Sequence, residues 1–264
     1  MRVALGIDAA WTATQPAGVA LIVDDGAGWS CRAVAPSYDH FQARADGDLT
    51  PGARPVGSVP QAGPLIGAAA TLAGALPAIV AIDMPLSVHP ITARRLADNA
   101  ISRAYGARKC STHTPSALRP GKISDDLRLG FAAIGYPLAT TIAHAPCLIE
   151  VYPHPALVEL TLASERLPYK ISKVAKYWPT LAPSDRRVRL FAQWRAILAA
   201  LDAVVAGAAD HLPLPAPTAP GHVLKAFEDM LDALVCAWVC AQVLDGHAVP
   251  YGEADAAIWV PRPA

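Results

Sequence analysis

Val3-Ala4-Leu5-Gly6-Ile7-Asp8-Ala9-Ala10-Trp11 is a short apolar run closed by a carboxylate and two small residues. It reads as a buried strand that delivers Asp8 where the chain leaves the sheet. An ionised group at the end of a core strand needs a partner, often a metal or another cation, because desolvating it alone is expensive. The plainer alternative is an aspartate that merely turns the chain. A second element of the same kind weighs against that alternative. Ala78-Ile79-Val80-Ala81-Ile82 runs apolar into Asp83, and Pro85 then stops the strand. Two buried strands that expose an aspartate at the same end bring both carboxylates to one crevice, and ligand sites in open α/β sheets favour the carboxyl ends of strands.

Working outward, Gly18–Val23 is a second strand, and Asp24-Asp25-Gly26-Ala27-Gly28 after it is a hairpin signal. Trp29–Ala35 is the third strand, so the chain opens with an antiparallel meander. Residues 36–61 read as a loop with little regular structure. The segment from Pro55 to Ile82 contains no charged residue and is long enough to span a bilayer. It is built of glycine, alanine and proline, however, and Pro77 splits it. A small-residue helix over 62–76 followed by the fourth strand is therefore expected, with no membrane span.

Beyond Asp83 the texture changes. Ile91–Arg108 has a helical pattern carrying Arg94, Arg95, Arg103 and Arg108, and 109–116 is a polar loop. The arginines suit either a solvated helix face or substrate phosphates. Cys147–Tyr152 is a fifth strand in which Glu150 repeats the placement of Asp8 and Asp83, and Pro155 is expected at the first position of a helix over 156–163. Next come Tyr169, Lys170, Lys173, Lys176, Tyr177 and Trp178, which fit a nucleic acid or an amphipathic helix with snorkelling lysines. A helix over 185–207 and a proline-rich linker over 213–220 follow.

The last element read is a helix from Val223 to Leu244, with Gly246 just past its end. Glu228, Asp229 and Asp232 share one face of it. The helix macrodipole accounts for Glu228 but serves Asp232 less well, since that residue is deeper and crowded by like charges. A cation would relieve the crowding.

Composition bounds the function. The 264 residues are 53% hydrophobic and 17% charged, which describes a compact folded chain able to bury a large core. Net charge is zero, so no global field recruits nucleic acid or membrane, and any polyanion contact has to come from a local basic cluster. The five cysteines form no CxxC, and no signal peptide is visible, which suggests reduced thiols in a cytoplasm. Cys236 and Cys240 lie one helical turn apart in an apolar run and read as core. His113 and His144 have no metal-ligand spacing.

Strand–strand–strand–helix–strand, with acids ending strands one and four and more acids on a C-terminal helix, resembles the ribonuclease H-like fold. GIDAAW, AIDMP and EDMLDALVCAW are similar to its Asp…Asp/Glu…Asp-x-x-Asp signature, as in Holliday-junction resolvases. Taken with AIDMPLS, the Arg95…Asp98…Arg103 spacing and Glu150-Val151-Tyr152-Pro153-His154-Pro155, the chain more closely resembles the DUF429 family, described as predicted ribonuclease H-like nucleases. The likeness runs from residue 3 to about 245. It implies an α/β fold, a mixed sheet flanked by helices in a single domain over 1–264, with helical insertions at about 84–146 and 164–222.

The expected site follows. Asp8, Asp83, Glu150 and Asp232 are the candidate catalytic acids. Asp8, Asp83, Asp229 and Asp232 are the candidate ligands for Mg²⁺ or Mn²⁺, since carboxylates are hard oxygen donors. Arg95, Arg103, Lys170 and Lys173 are the candidate contacts to substrate phosphates. Two such ions about 4 Å apart promote phosphodiester hydrolysis, which points to a metal-dependent nuclease on DNA or RNA. Relief of repulsion predicts that Asp232→Asn stabilises the metal-free protein. Two other readings stay open. An ATP-dependent phosphotransferase or ATPase of the actin and sugar-kinase type would want glycine-rich phosphate loops, which the first two strand ends do not supply. A non-catalytic binding module on the same fold is the other.

Overall fold

The computed structural model describes residues 1–48 and 52–263. Seven strands form one sheet: β1 (Arg2–Asp8), β2 (Gly18–Asp24), β3 (Trp29–Ala35), β4 (Ile79–Ile82), β5 (Cys147–Val151), β6 (Ala248–Glu253) and β7 (Ala256–Pro261). Their spatial order is β3-β2-β1-β4-β5-β7-β6. The first three are an antiparallel meander, β4 and β5 then run parallel to β1, β7 continues parallel to β5, and β6 closes the edge antiparallel to β7. This mixed sheet, flanked by helices, fits the ribonuclease H-like arrangement. The neighbouring strands that carry Asp8 and Asp83 are β1 and β4.

Strand alternation sorts the core into two layers. Val3, Leu5 and Ile7 of β1, with Val80 and Ile82 of β4, face a layer shared with α1 (Tyr38–Asp46), α2 (Ala62–Ala73) and α4 (Lys122–Ala133). Ala4, Ile79 and Ala81 face the other side, which is covered by α5 (Pro153–Thr161), α7 (Pro183–Asp202) and α9 (Gly221–Leu244). A third, smaller cluster seats α3 (Leu96–Tyr105) on β7. The remaining short helices, α6 (Val174–Tyr177) and α8 (Ala208–His211), bracket α7.

Several expectations shift. The sheet has seven strands rather than about five, because β6 and β7 follow the last helix. The 36–61 segment is not simply a loop: Ser37 caps α1 by accepting from the His40 amide, and Gly47 ends it in the left-handed region at φ 78°. Residues 49–51 of that segment lie outside the described residues. The arginine-bearing helix is shorter than 91–108, because it starts only after Arg95, which serves as its N-cap. Pro153, not Pro155, takes the first position of α5, since Tyr152 is the N-cap. Among the described residues no helix is long and apolar enough to cross a membrane.

Candidate active site

Glycine sets how close the acids come. A Cβ on Gly6 would lie 2.1 Å from the Ala233 carbonyl oxygen, and one on Gly18 would lie 2.1 Å from that of Asp229. Strands β1 and β2 therefore touch α9 backbone to backbone along the Asp229–Ala233–Ala237 row. The adjacent row is Asp232–Cys236–Cys240, and the Cys240 thiol reaches the carbonyls of both Leu5 and Ile79. That row lies over the seam between β1 and β4, with Asp232 at its open end. Asp8 continues the Ala4–Gly6 face, and Asp83, whose amide donates to Ile7 at 2.9 Å, continues the Ile79–Ala81 face. All three carboxylates thus arrive on the α9 side. Each offers an oxygen, and these atoms lie within 4.8 Å of one another.

The surroundings are strongly coupled. Tyr169 donates its hydroxyl to Asp232 at 2.6 Å, and the Lys170 ammonium sits against the same carboxylate and 3.6 Å from Glu228. Lys225 binds Asp229 and lies 3.2 Å from Glu228, whose other oxygen accepts from the Ile171 amide at 2.5 Å. Asp8, Asp83, Glu228, Asp229 and Asp232 thus crowd together, with Lys170 and Lys225 as the ammonium groups in ion-pair contact with them. Loss of water pushes the Asp8 carboxyl well above its usual range, with Asp229, Asp232 and Asp83 adding to the effect. Burial, then Asp232, pushes Asp83 up to about 7. Burial draws the Lys170 ammonium down, but Asp232, Tyr169 and Glu228 outweigh it and hold it well above its ordinary value.

Glu150 lines the same cavity but is not among the three converging acids. In the β4–β5 register it pairs with Ile82, and Ile149 pairs with Ala81. It therefore faces the opposite side of the sheet from Asp8 and Asp83, because successive strand residues alternate sides. It accepts from the Leu86 amide at 2.7 Å and holds Arg95 at 2.5 and 2.7 Å. Arg95 in turn places its remaining donors on Asp98 and the Leu86 carbonyl. A guanidinium has five N–H groups. All are used, so Arg95 is a structural cation rather than a phosphate contact. Arg103 is exposed in the last turn of α3, away from the cavity lining. Lys170 is committed to Asp232 and Glu228, which leaves Lys173 as the expected phosphate contact that lines the cavity and has no carboxylate partner among the described residues.

The crevice opens into a cavity of about 720 Å³. Its lining includes Trp11, Arg119, His154 and Arg166, which sequence reasoning did not assign to the site. The proline-flanked His154 was visible only as part of a motif, and nothing in the local pattern marks Arg119 or Arg166. The hairpin after β2 lies at the other end of the sheet, where the Asp24 carboxylate accepts from the Gly26 and Gly28 amides at 2.8 and 3.1 Å and pairs with Arg2. Those amides are already satisfied and are remote from the acids, so this turn makes no phosphate loop.

The model of a family described as a protein of unknown function, DUF429, matches residues 6–256. No curated protein and no solved structure matches the chain.

Proposed function

The chain belongs to the DUF429 family, and we propose that it is a divalent-metal-dependent nuclease hydrolysing phosphodiester bonds in DNA or RNA. The observation that carries this reading is the convergence of Asp8, Asp83 and Asp232 on one point, from two strands and a helix. An all-carboxylate donor set is hard and suits Mg²⁺ or Mn²⁺. When bound, such an ion supplies Lewis acidity and lowers the pKa of a coordinated water.

The chain's own residues have separable roles. Asp8, Asp83 and Asp232 would hold the ion, and Asp229 borders them from the neighbouring helical row. Tyr169 and Lys170 fix the Asp232 carboxylate by a hydrogen bond and an ion pair. Lys170 also keeps a positive charge beside the acids, which lowers the cost of bringing a polyanion to them. The Arg95–Glu150–Asp98 network braces the loop after β4 through Leu86, and so braces Asp83. All five cysteines are free and buried, which suits a reducing compartment such as the cytoplasm.

The test is calorimetric titration with Mn²⁺, alongside incubation of labelled single-stranded and duplex DNA and RNA with the metal-loaded protein. Mn²⁺ binding and cleavage, both lost in Asp83→Asn, are the expected result. A protein that binds no divalent ion is not this enzyme, and ATP turnover would favour the phosphotransferase reading.

A further inference from the structure

Resting on the nuclease reading, we propose that the cavity wall built by residues 152–173 is an anion subsite, in which His154, Arg166 and Lys173 seat a phosphate of a single-stranded nucleic-acid end. His154 is 96% buried, from a relative exposure of 4%, yet its Nδ1 has no hydrogen-bond partner. It lines the cavity at the second position of α5, a nine-residue helix whose start no side chain caps. A buried imidazole nitrogen left unmade is costly, so a ligand that completes it gains that free energy. Tyr152 and Tyr169 hold the ring in place, with centroids 5.2 and 5.3 Å away.

The groups around it are cationic. Burial holds the imidazole well below its ordinary pKa, and Arg166, Lys170 and His113 push it the same way. The ring is therefore neutral and donates from one nitrogen only. Arg166 and Lys173 make no salt bridge among the described residues, and the buried Arg166 Nε has no partner. Arg166, a cation with no carboxylate of its own close to an unsatisfied imidazole, together with the unpaired Lys173 on the same cavity lining, forms a surface for an anion. Tyr152, His154 and Arg166 line the same cavity as Asp8 and Asp83, which places this wall next to the acids.

Shape and stacking narrow the anion to a strand end. A cavity of about 720 Å³ is of the size that encloses a compact ligand rather than a groove that tracks a rod. A chain of zero net charge has no global field to draw in the dense charge of a duplex. At the same cavity Arg119 lies over the Trp11 ring, 5.4 Å from its centroid. An aromatic with an arginine beside a cationic track is how single strands are held without sequence preference.

The experiment is fluorescence anisotropy with labelled pentathymidylate and with a blunt DNA duplex, in buffer containing Ca²⁺, across a salt series. The strand should bind the wild-type protein at least about tenfold more tightly than the duplex. Arg166→Gln and Lys173→Gln, both at partly exposed positions, should each weaken strand binding about tenfold and lower the salt slope by about 0.7 for the lost phosphate contact. His154→Gln should weaken it without altering the slope. Duplex binding equal to or tighter than strand binding, or unchanged affinity and slope in both cation variants, overturns the subsite. Mn²⁺ titration of the same variants keeps the two readings apart. Retained metal binding with unaltered strand affinity removes the subsite alone, whereas loss of metal binding in the wild-type protein removes the nuclease reading.

Discussion

Gly6 and Ala233 meet backbone to backbone, with the Ala233 carbonyl oxygen 2.1 Å from where a Gly6 Cβ would stand. No side chain fits there unless strand and helix separate. Gly6→Ala should therefore move α9 off β1 and carry Asp232 away from Asp8. Overpacking of this kind costs about 1–3 kcal/mol. At about 2–4 °C per kcal/mol for a chain of this size, differential scanning calorimetry should register it. Mn²⁺ affinity should fall with it, and a variant with unaltered melting and metal binding would show that the close approach does not position the site.

Acidity should change metal binding and stability in opposite senses. The Asp83 carboxyl is raised to about 7 in the fold, above the ordinary aspartate value it has in the unfolded chain. Between those values the native state holds a proton that the unfolded state has lost, so stability falls as pH rises through this window. For this group the stability of the metal-free protein should be highest below about pH 4, fall up to about pH 7, and then level off. Mn²⁺ affinity should climb over the same range as the proton leaves. Melting curves and titrations at half-unit intervals check both trends, and a metal-free protein that gains stability from pH 5 to 7 would contradict the buried, crowded Asp83.

Neutralising the three acids should not have equal effects. Asp8 and Asp83 have no cation in ion-pair contact among the described residues, whereas Asp232 carries Lys170 and the Tyr169 hydroxyl. Asp83→Asn should therefore raise the melting temperature of the metal-free protein by relieving repulsion. Asp232→Asn should lower it, because the largely buried Lys170 would lose its closest counter-charge, the fully buried Asp232 carboxylate. The helix taken alone predicts the reverse for Asp232, since only its acidic neighbours are visible there. Both variants should weaken Mn²⁺ binding. Matching melting shifts of the same sign would mean that Lys170 does not compensate Asp232.

The contrast shows what was readable from the chain. The first and fourth strands announce themselves by apolar runs ending in aspartate, and the C-terminal helix by its apolar rows, so Asp8, Asp83 and Asp232 were within reach. Glu150 looked equivalent, but its side of the sheet depends on register, and a one-residue difference sends it to Arg95. Lys170 looked like a free cation because Asp232 lies 62 residues away in sequence, and Arg95 had only Asp98 in view because its second carboxylate, Glu150, lies 55 residues away. β6 was obscured by Pro250 and Gly252, which a central strand tolerates poorly but an edge strand accepts. α1 carried its cap signals at Ser37 and Gly47 within a stretch too polar to show helical periodicity.

The Arg95 network gives the most discriminating test of which acids belong to the site. Removing one member of a buried ion pair leaves its partner charged and uncompensated, at a cost of about 3–5 kcal/mol. Arg95→Met strands both Glu150 and Asp98 and should destabilise the protein by at least that much. Lysine should not rescue it, since an ammonium has three donors in place of the five N–H groups that Arg95 uses. Glu150→Gln keeps an oxygen for the Leu86 amide and should cost less. Because the Glu150 side chain leaves the opposite side of the sheet from Asp8 and Asp83 and is held by Arg95, Glu150→Gln should leave Mn²⁺ affinity within about threefold of wild type, less than the 1.4 kcal/mol that a tenfold change represents. Asp83→Asn should lower it far more. Equal losses of Mn²⁺ affinity in the two folded variants would put Glu150 among the ligands and the register argument would fail.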